Sequence, residues 1–267
     1  MDEAVQLSGL FIDAGPVGQV VSRDTKVYTL KDVTRGTVWD GPLLVLVNGS
    51  SASASEMVAG TLQDYNRALI VGSPTYGKAT AQLVLPMDTS IDLNRFDPNA
   101  TASSYLKVTI SKLYRVNGTT AQMSGVKPDV LLPDPPQARS QREADEAFVL
   151  PPTPIPANKY YQPLPALPVA AEQAIATQAM GASVFFNSPA APRKEDKKTR
   201  DYSLLLEDII AEKRKAAPAA VAPAGKNELF SVGAPAYEVA ASEERKKNVQ
   251  DDPYLSVAFQ LVVGMMK

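Results

Sequence analysis

Three polar side chains between Leu43 and Gln82, in LLVLVNGSSASASEMVAGTLQDYNRALIVGSPTYGKATAQ, have the types and spacing for acyl transfer: Ser53, Lys78 and Gln82. A serine hydroxyl attacks a carbonyl only when a neighbouring base takes its proton. The chain contains no histidine and no cysteine, which excludes a Ser-His-Asp triad, a thiol nucleophile and the usual zinc sites. Acid-base work near neutral pH then falls to a perturbed carboxylate or a perturbed lysine. A free lysine, with a pKa of ~10.4, is a poor base, and bringing one to about 7 takes on the order of 4 kcal/mol of desolvation, within what burial supplies. Gly77 lets the backbone turn so that Lys78 points back toward the start of a helix at Ser53. Gln82, on the strand that follows, is placed to hydrogen-bond the ammonium. The backbone N–H of Ala54, at the positive end of the helix dipole, is placed to receive an oxyanion.

Two other readings compete for the same residues. Ser53 followed by Glu56 fits a capping box, in which the serine only satisfies the first helical amides. Gly72 to Lys78, GSPTYGK, matches the G-x-x-x-x-G-K part of a phosphate-binding loop. The nucleotide reading fails on the residue after the lysine, Ala79, where Ser or Thr must hold magnesium. It fails again on Ala81 to Pro86, which reads as a short strand where a phosphate-cradling helix should begin.

The elements that must position these groups follow from hydrophobic pattern. Val17–Val21 and Lys26–Leu30 alternate as strands, with Asp24 and Thr25 between them as a hairpin turn. Leu43–Val47 is an unbroken apolar run of the kind found in a strand buried on both faces. A helix runs from the serine-rich turn to about Asn66, with Ala54, Val58, Leu62 and Tyr65 on one face. Ala68–Gly72 is a second strand, so the unit is a strand-helix-strand crossover and the core is α/β. Gln82–Leu85 and Tyr105–Tyr114 are further strands, and Gly125–Leu132 closes the domain.

Beyond Pro133 the character changes. Ten of the 22 prolines lie between Pro133 and Pro168, so residues 134–170 read as an extended, Pro-rich connector. Residues 171–267 read as mostly helical, with helices at Ala171–Met180, Tyr202–Ala217 and from Pro253 to about Met266. An Ala/Pro linker lies near 216–225. Net charge −2 and a pI near 5.4 give no electrostatic case for nucleic acid or an anionic membrane. No signal peptide or spanning segment is legible, and the chain as given reads as soluble. Nothing in it calls for a cofactor or a metal.

The run Ser51-Ala52-Ser53-Ala54-Ser55-Glu56, preceded by VLVN and followed by AGTLQDYNRALIVGSPTYGKATAQ, closely resembles the catalytic segment of the carboxy-terminal processing proteases, the tail-specific branch above all. The similarity extends to EAVQLSGLFIDAGPVGQV, KLYRVNG and GVKPDVLLP, and faintly to IPANKYYQPLPAL and DDPYLSVAFQ. The resemblance implies Ser53 as nucleophile, Lys78 as base 25 residues later, Gln82 assisting four residues beyond, and Asp64 in a supporting acidic position. It implies a ClpP/crotonase-like mixed-sheet protease core over residues 1–133. It also implies protein substrates with apolar C-termini, and a place in the bacterial periplasm or cell envelope. Family members carry a PDZ domain and a glycine-rich turn with a second oxyanion donor ahead of the segment that begins here. The chain is therefore expected to act as a truncated, weakly active protease, or as a noncatalytic fragment serving binding or assembly.

Overall fold

The computed structural model describes residues 1–23, 26–87, 104–135, 141–187 and 247–266. The hairpin turn at Asp24–Thr25, the helix expected at Tyr202–Ala217 and the linker at 216–225 lie outside the described residues. The chain divides into two compact units, one of Met1–Ala176 with Val262–Lys267 and the other of Thr177–Leu261.

The first unit opens with helix α1 (Asp2–Gly9) and holds two sheets. Strands β1 (Gly15–Ser22), β2 (Tyr28–Asp32), β5 (Thr80–Pro86) and β6 (Tyr105–Tyr114) form an antiparallel sheet in the order β2-β1-β6-β5. Strands β3 (Leu44–Val47), β4 (Leu69–Gly72) and β7 (Val130–Leu131) form a parallel sheet in the order β3-β4-β7. Helix α2 (Ala54–Asp64) joins β3 to β4, which makes the crossover unit the hydrophobic pattern requires. Leu62, Ala59 and Tyr65 of this region pack with Val17, Ile70, Leu113, Val116 and Val126 in the core.

The strand buried on both faces is β4, whose four residues are all buried, and not β3. Among the described residues β3 has a neighbour on one side only, and Leu46 is 36% exposed. An apolar run of four or five residues fixes strand character but not strand position, because position depends on which strand pairs with which.

Two residues lock the loops around this unit. Arg67 donates from its guanidinium to the carbonyls of Phe11, Trp39 and Gly41 at 2.6–3.0 Å. Gly72 ends β4 at φ +132°, where a Cβ would stand 1.9 Å from the Val47 carbonyl oxygen. Both the positive φ and the overlap forbid a side chain there. Gly72→Ala is expected to destabilise the chain by roughly 2–4 kcal/mol, measured as a lower urea midpoint.

The proline-rich stretch lies on the first unit through backbone bonds. Ile155 N–H donates to the Gly118 carbonyl, Asn158 N–H to Val116 and Leu164 N–H to Tyr65, at 2.7–3.0 Å. Tyr161 meets the Tyr65 ring edge-on at 5.5 Å. Helix α3 (Val169–Ala182) begins in this unit, and α5 (Pro253–Met265) ends in it. In the second unit, the short helix α4 (Val184–Asn187) brings Phe185 and Phe186 against Tyr254 with edge-to-face rings 5.1–5.8 Å apart. No described helix is long and apolar enough to cross a membrane.

Candidate active site

The turn between β3 and α2 sorts its serines. Asn48 Oδ1 accepts the Ser50 N–H at 2.8 Å, and the Ser51 hydroxyl accepts the Asn48 N–H at 3.2 Å. The Ser55 hydroxyl donates to the Ala52 carbonyl at 2.8 Å. Ser53 differs: its backbone is at φ +60°, ψ −116°, a conformation that costs an L residue of order 1–3 kcal/mol. An ordinary N-cap lies in the β region, so a capping role does not account for this geometry. A serine held on a strained strand-to-helix turn is the arrangement that exposes a nucleophilic hydroxyl.

Both halves of a capping box are in place, the Ser53 side chain facing the Glu56 N–H and the Glu56 side chain the Ser53 N–H. The Glu56 carboxylate accepts the Ser53 N–H at 2.8 Å. The Glu56 N–H donates to the Ser53 carbonyl at 3.0 Å, and the Ser53 hydroxyl makes no cap hydrogen bond. The Ala54 N–H, at the first position of α2, has no intrahelical acceptor and is available to a developing oxyanion.

Glu56 does more than cap. One carboxylate oxygen, Oε2, accepts the N–H groups of both Ser53 and Lys78, at 2.8 and 2.9 Å. The other, Oε1, accepts the Thr75 hydroxyl at 2.5 Å and the Gly77 N–H at 2.7 Å. One buried carboxylate thereby fixes the serine turn to the lysine loop. Burial pushes its pKa up from 4.5, and the four donors pull the other way. Tyr76 adds a second tie by donating its N–H to the Ser51 carbonyl at 2.9 Å. Gly77 turns at φ +97°, where a Cβ would press to 2.9 Å on the backbone of Met123. This is the tight turn that the sequence assigns to it.

Ser53 and Lys78 line one small cavity, about 30 Å³, with Glu56, Thr61, Leu113 and Arg115 among its walls. Arg115 is held by Asp64 through a bidentate pair, Nε to Oδ2 at 3.0 Å and a terminal nitrogen to Oδ1 at 2.6 Å. Asn117 donates to the same carboxylate at 2.8 Å. Asp64 therefore acts on the cavity through Arg115. Burial pushes the Asp64 pKa up, and the Arg115 guanidinium opposes this.

Ser53 and Lys78 line one cavity, whereas Gln82 lies on β5 outside its lining. Its amide donates to the Thr80 hydroxyl at 2.8 Å and to Thr109 at 3.4 Å. The loop Gly72–Lys78 runs into β5 and not into a helix, so the helix N-terminus that a nucleotide site needs is not at this loop. Sequence reasoning gave Glu56 a cap's role and passed over Thr75 and Arg115. The S-x-x-E spacing was the one available sign of Glu56, and it reads equally well as a cap.

Residues 1–132 match the profile of peptidase family S41. The tail-specific protease of Haemophilus influenzae is 37% identical over 162 residues, 61% of this chain and 23% of that protein. The carboxy-terminal-processing protease of Bartonella bacilliformis is 32% identical over 136 residues, 51% of this chain and 28% of that protein. The chain thus spans about a quarter of the length of these curated relatives. Among solved structures, a photosystem II D1 C-terminal processing protease shares 29% identity over 49% of this chain and 31% of its own, with a TM-score of 0.38. The segment that carries the serine turn, the lysine loop and both sheets, residues 1–132, belongs to peptidase family S41.

Proposed function

We propose that the chain carries the Ser53/Lys78 dyad of a serine endopeptidase that processes or degrades proteins recognised by apolar C-terminal tails, in the bacterial periplasm or cell envelope. One observation carries the reading. The strained serine and the lysine loop are fixed to a single carboxylate oxygen of Glu56, with both residues lining one cavity. The names of the bacterial relatives support the substrate class.

In the first half-reaction Ser53 Oγ attacks the scissile carbonyl carbon while its proton passes to the neutral Lys78 amine. The negative charge that forms on the carbonyl oxygen meets the Ala54 N–H at the start of α2. Collapse breaks the C–N bond, the Lys78 ammonium returns the proton to the leaving amine, and an acyl-Ser53 ester remains. Water then attacks this ester with Lys78 again taking its proton, the acyl C–Oγ bond breaks as the Lys78 ammonium returns that proton to Ser53 Oγ, and the product acid leaves, ionising in solvent. Gln82 assists the lysine as the family resemblance implies, from a place on β5 where its amide rests on the Thr80 and Thr109 hydroxyls. Asp64 supports the cavity wall through Arg115.

Lys78→Arg tests the base. Arginine keeps the positive charge but does not deprotonate in proteins, so cleavage of an unfolded protein with an apolar C-terminus should fall roughly 10³-fold at unchanged thermal midpoint. Equal background cleavage by the wild-type and variant chains would return this segment to a noncatalytic binding or assembly role.

A further inference from the structure

Gly49, in the turn that leads to Ser53, is a glycine for which its own backbone gives no reason, because its φ lies outside the left-handed region. Space is what excludes a side chain. A Cβ at this position would stand 2.1 Å from Nη1 of Arg142 and 2.4 Å from its Cζ, so the guanidinium lies directly on the serine turn. Arg142 is beyond residues 1–132, the part that matches the protease family.

Arg142 begins a short segment, Arg142–Glu146, built around a single 3₁₀ turn at Glu143–Asp145. Its contacts fall on both sides of Lys78. Arg142 donates to Asp134 Oδ2 at 2.9 Å, and the other oxygen of Asp134 accepts the Ser73 hydroxyl. The Glu143 N–H donates to the Tyr76 carbonyl at 3.0 Å, and the Tyr76 hydroxyl donates to Glu146 at 3.0 Å. The Glu143 carboxylate accepts the side-chain amide of Gln122 at 3.2 Å, and the Gln122 carbonyl oxygen accepts the Ala79 N–H at 2.8 Å. The lysine loop is thus held at Ser73 and Tyr76 before Lys78 and at Ala79 after it, while the guanidinium rests on the turn before Ser53. Magnitudes indicate what this clasp is for. The Arg142 and Asp134 side chains are 20% and 22% exposed, and an ion pair open to water adds at most about 1 kcal/mol to stability. A displacement of about 1 Å between reacting groups costs on the order of 10²-fold in rate.

We propose that Arg142 and Glu143 are positioning residues for the serine/lysine pair: Arg142 sets the distance between the Ser53 turn and the lysine loop through Gly49, and Glu143 sets the course of the loop on either side of Lys78. The proposal rests on the Ser53/Lys78 reading. Neither residue lines the cavity, so both act through the loops they hold.

The test uses the full chain, cleavage of an unfolded protein, and the rate at which an alkyl fluorophosphonate labels Ser53, a reaction that needs the base but little substrate binding. Arg142→Ala should lower kcat and the labelling rate about 10²-fold, with KM changed by less than about twofold and the thermal midpoint nearly unchanged. Arg142→Lys should not restore the rate, because an ammonium keeps the charge beside Asp134 but not the planar group that lies on Gly49. Gly49→Ala should reproduce the loss in the wild type and add nothing to Arg142→Ala, since the atoms nearest its Cβ all belong to Arg142. Glu143→Ala should lose about tenfold, the worth of one hydrogen bond to a charged group, and Glu143→Gln should recover most of it, because its amide oxygen still accepts from Gln122. The Glu143 pair decides the matter if the Arg142 variants fold poorly. Labelling at the wild-type rate in Arg142→Ala and Gly49→Ala overturns the positioning role alone. So do a rise in KM at constant kcat, additive losses in the Gly49/Arg142 double variant, and equal losses in Glu143→Ala and Glu143→Gln. A folded wild-type chain that is not labelled at Ser53 overturns the catalytic reading, and this proposal with it.

Discussion

Ser53→Ala is expected to lower kcat/KM for an unfolded protein substrate by roughly 10⁴–10⁶-fold, the effect of removing a nucleophile that acts with its base as a unit. Stability separates this role from capping. If Ser53 served as a cap, alanine would cost about 0.5–2 kcal/mol and glycine only a few tenths more or less. The structure gives a different expectation, because the hydroxyl makes no cap bond and the backbone sits at φ +60°. Alanine should leave the urea midpoint almost unchanged. Ser53→Gly should abolish cleavage while raising stability by about 1 kcal/mol, since glycine adopts this backbone without strain. A loss of stability in Ser53→Ala with cleavage retained would assign the residue to the helix terminus alone.

The second large effect belongs to Glu56. Glu56→Ala leaves the N–H groups of Ser53, Gly77 and Lys78 and the hydroxyl of Thr75 without the acceptor they share. Each buried orphan costs about 1–3 kcal/mol, so a total loss of roughly 4 kcal/mol is expected after partial relaxation, with cleavage lost as well. Both the serine turn and the lysine loop hang from the same carboxylate, and their register cannot survive its removal. The pH dependence carries a definite sign. Burial raises the folded pKa of Glu56 above 4.5, so the folded chain binds this proton more tightly than the unfolded chain does. Its contribution to stability is complete below the unfolded pKa and is lost as pH rises through the folded value. Urea midpoints measured upward from pH 4 should show this decline in the wild type, and Glu56→Gln should lack it. A wild-type-minus-variant difference that is flat or rises with pH would show that the four donors, and not burial, dominate.

Much of this arrangement is legible from residue types alone. The apolar runs at Leu43–Val47 and Ala68–Gly72 with a helical pattern between them specify β3-α2-β4, because period and turn chemistry are local properties. The expected helical face was only partly correct. Ala54 is exposed, and the buried face includes Glu56 and Thr61. A glutamate on a core-facing stripe violates the amphipathic rule, and such violations concentrate at functional sites. Its partners, Thr75, Gly77 and Lys78, lie 19 to 22 residues away, beyond any helical or strand period. Gln82 shows the same limit in reverse. Its spacing from Lys78 suggests a direct contact, yet the irregular register at Ala81/Gln82 and the nearby Thr80 and Thr109 hydroxyls set where its amide goes.

The amino-acid sequence by itself determined the chemistry open to this protein. Without histidine or cysteine, base work near neutral pH fell to a perturbed carboxylate or lysine, which made a serine paired with lysine the most natural option, and the serine-rich turn before a helix gave it a place. Tertiary structure decided which serine is strained, which carboxylate joins the two loops, that Asp64 reaches the cavity wall through Arg115 fifty-one residues on, and the order of the strands in each sheet of the described residues. The physical reason is common to all four. Backbone strain, convergence of buried donors on one acceptor, and strand order are each set by contacts between distant segments, and no window of neighbouring residues contains them.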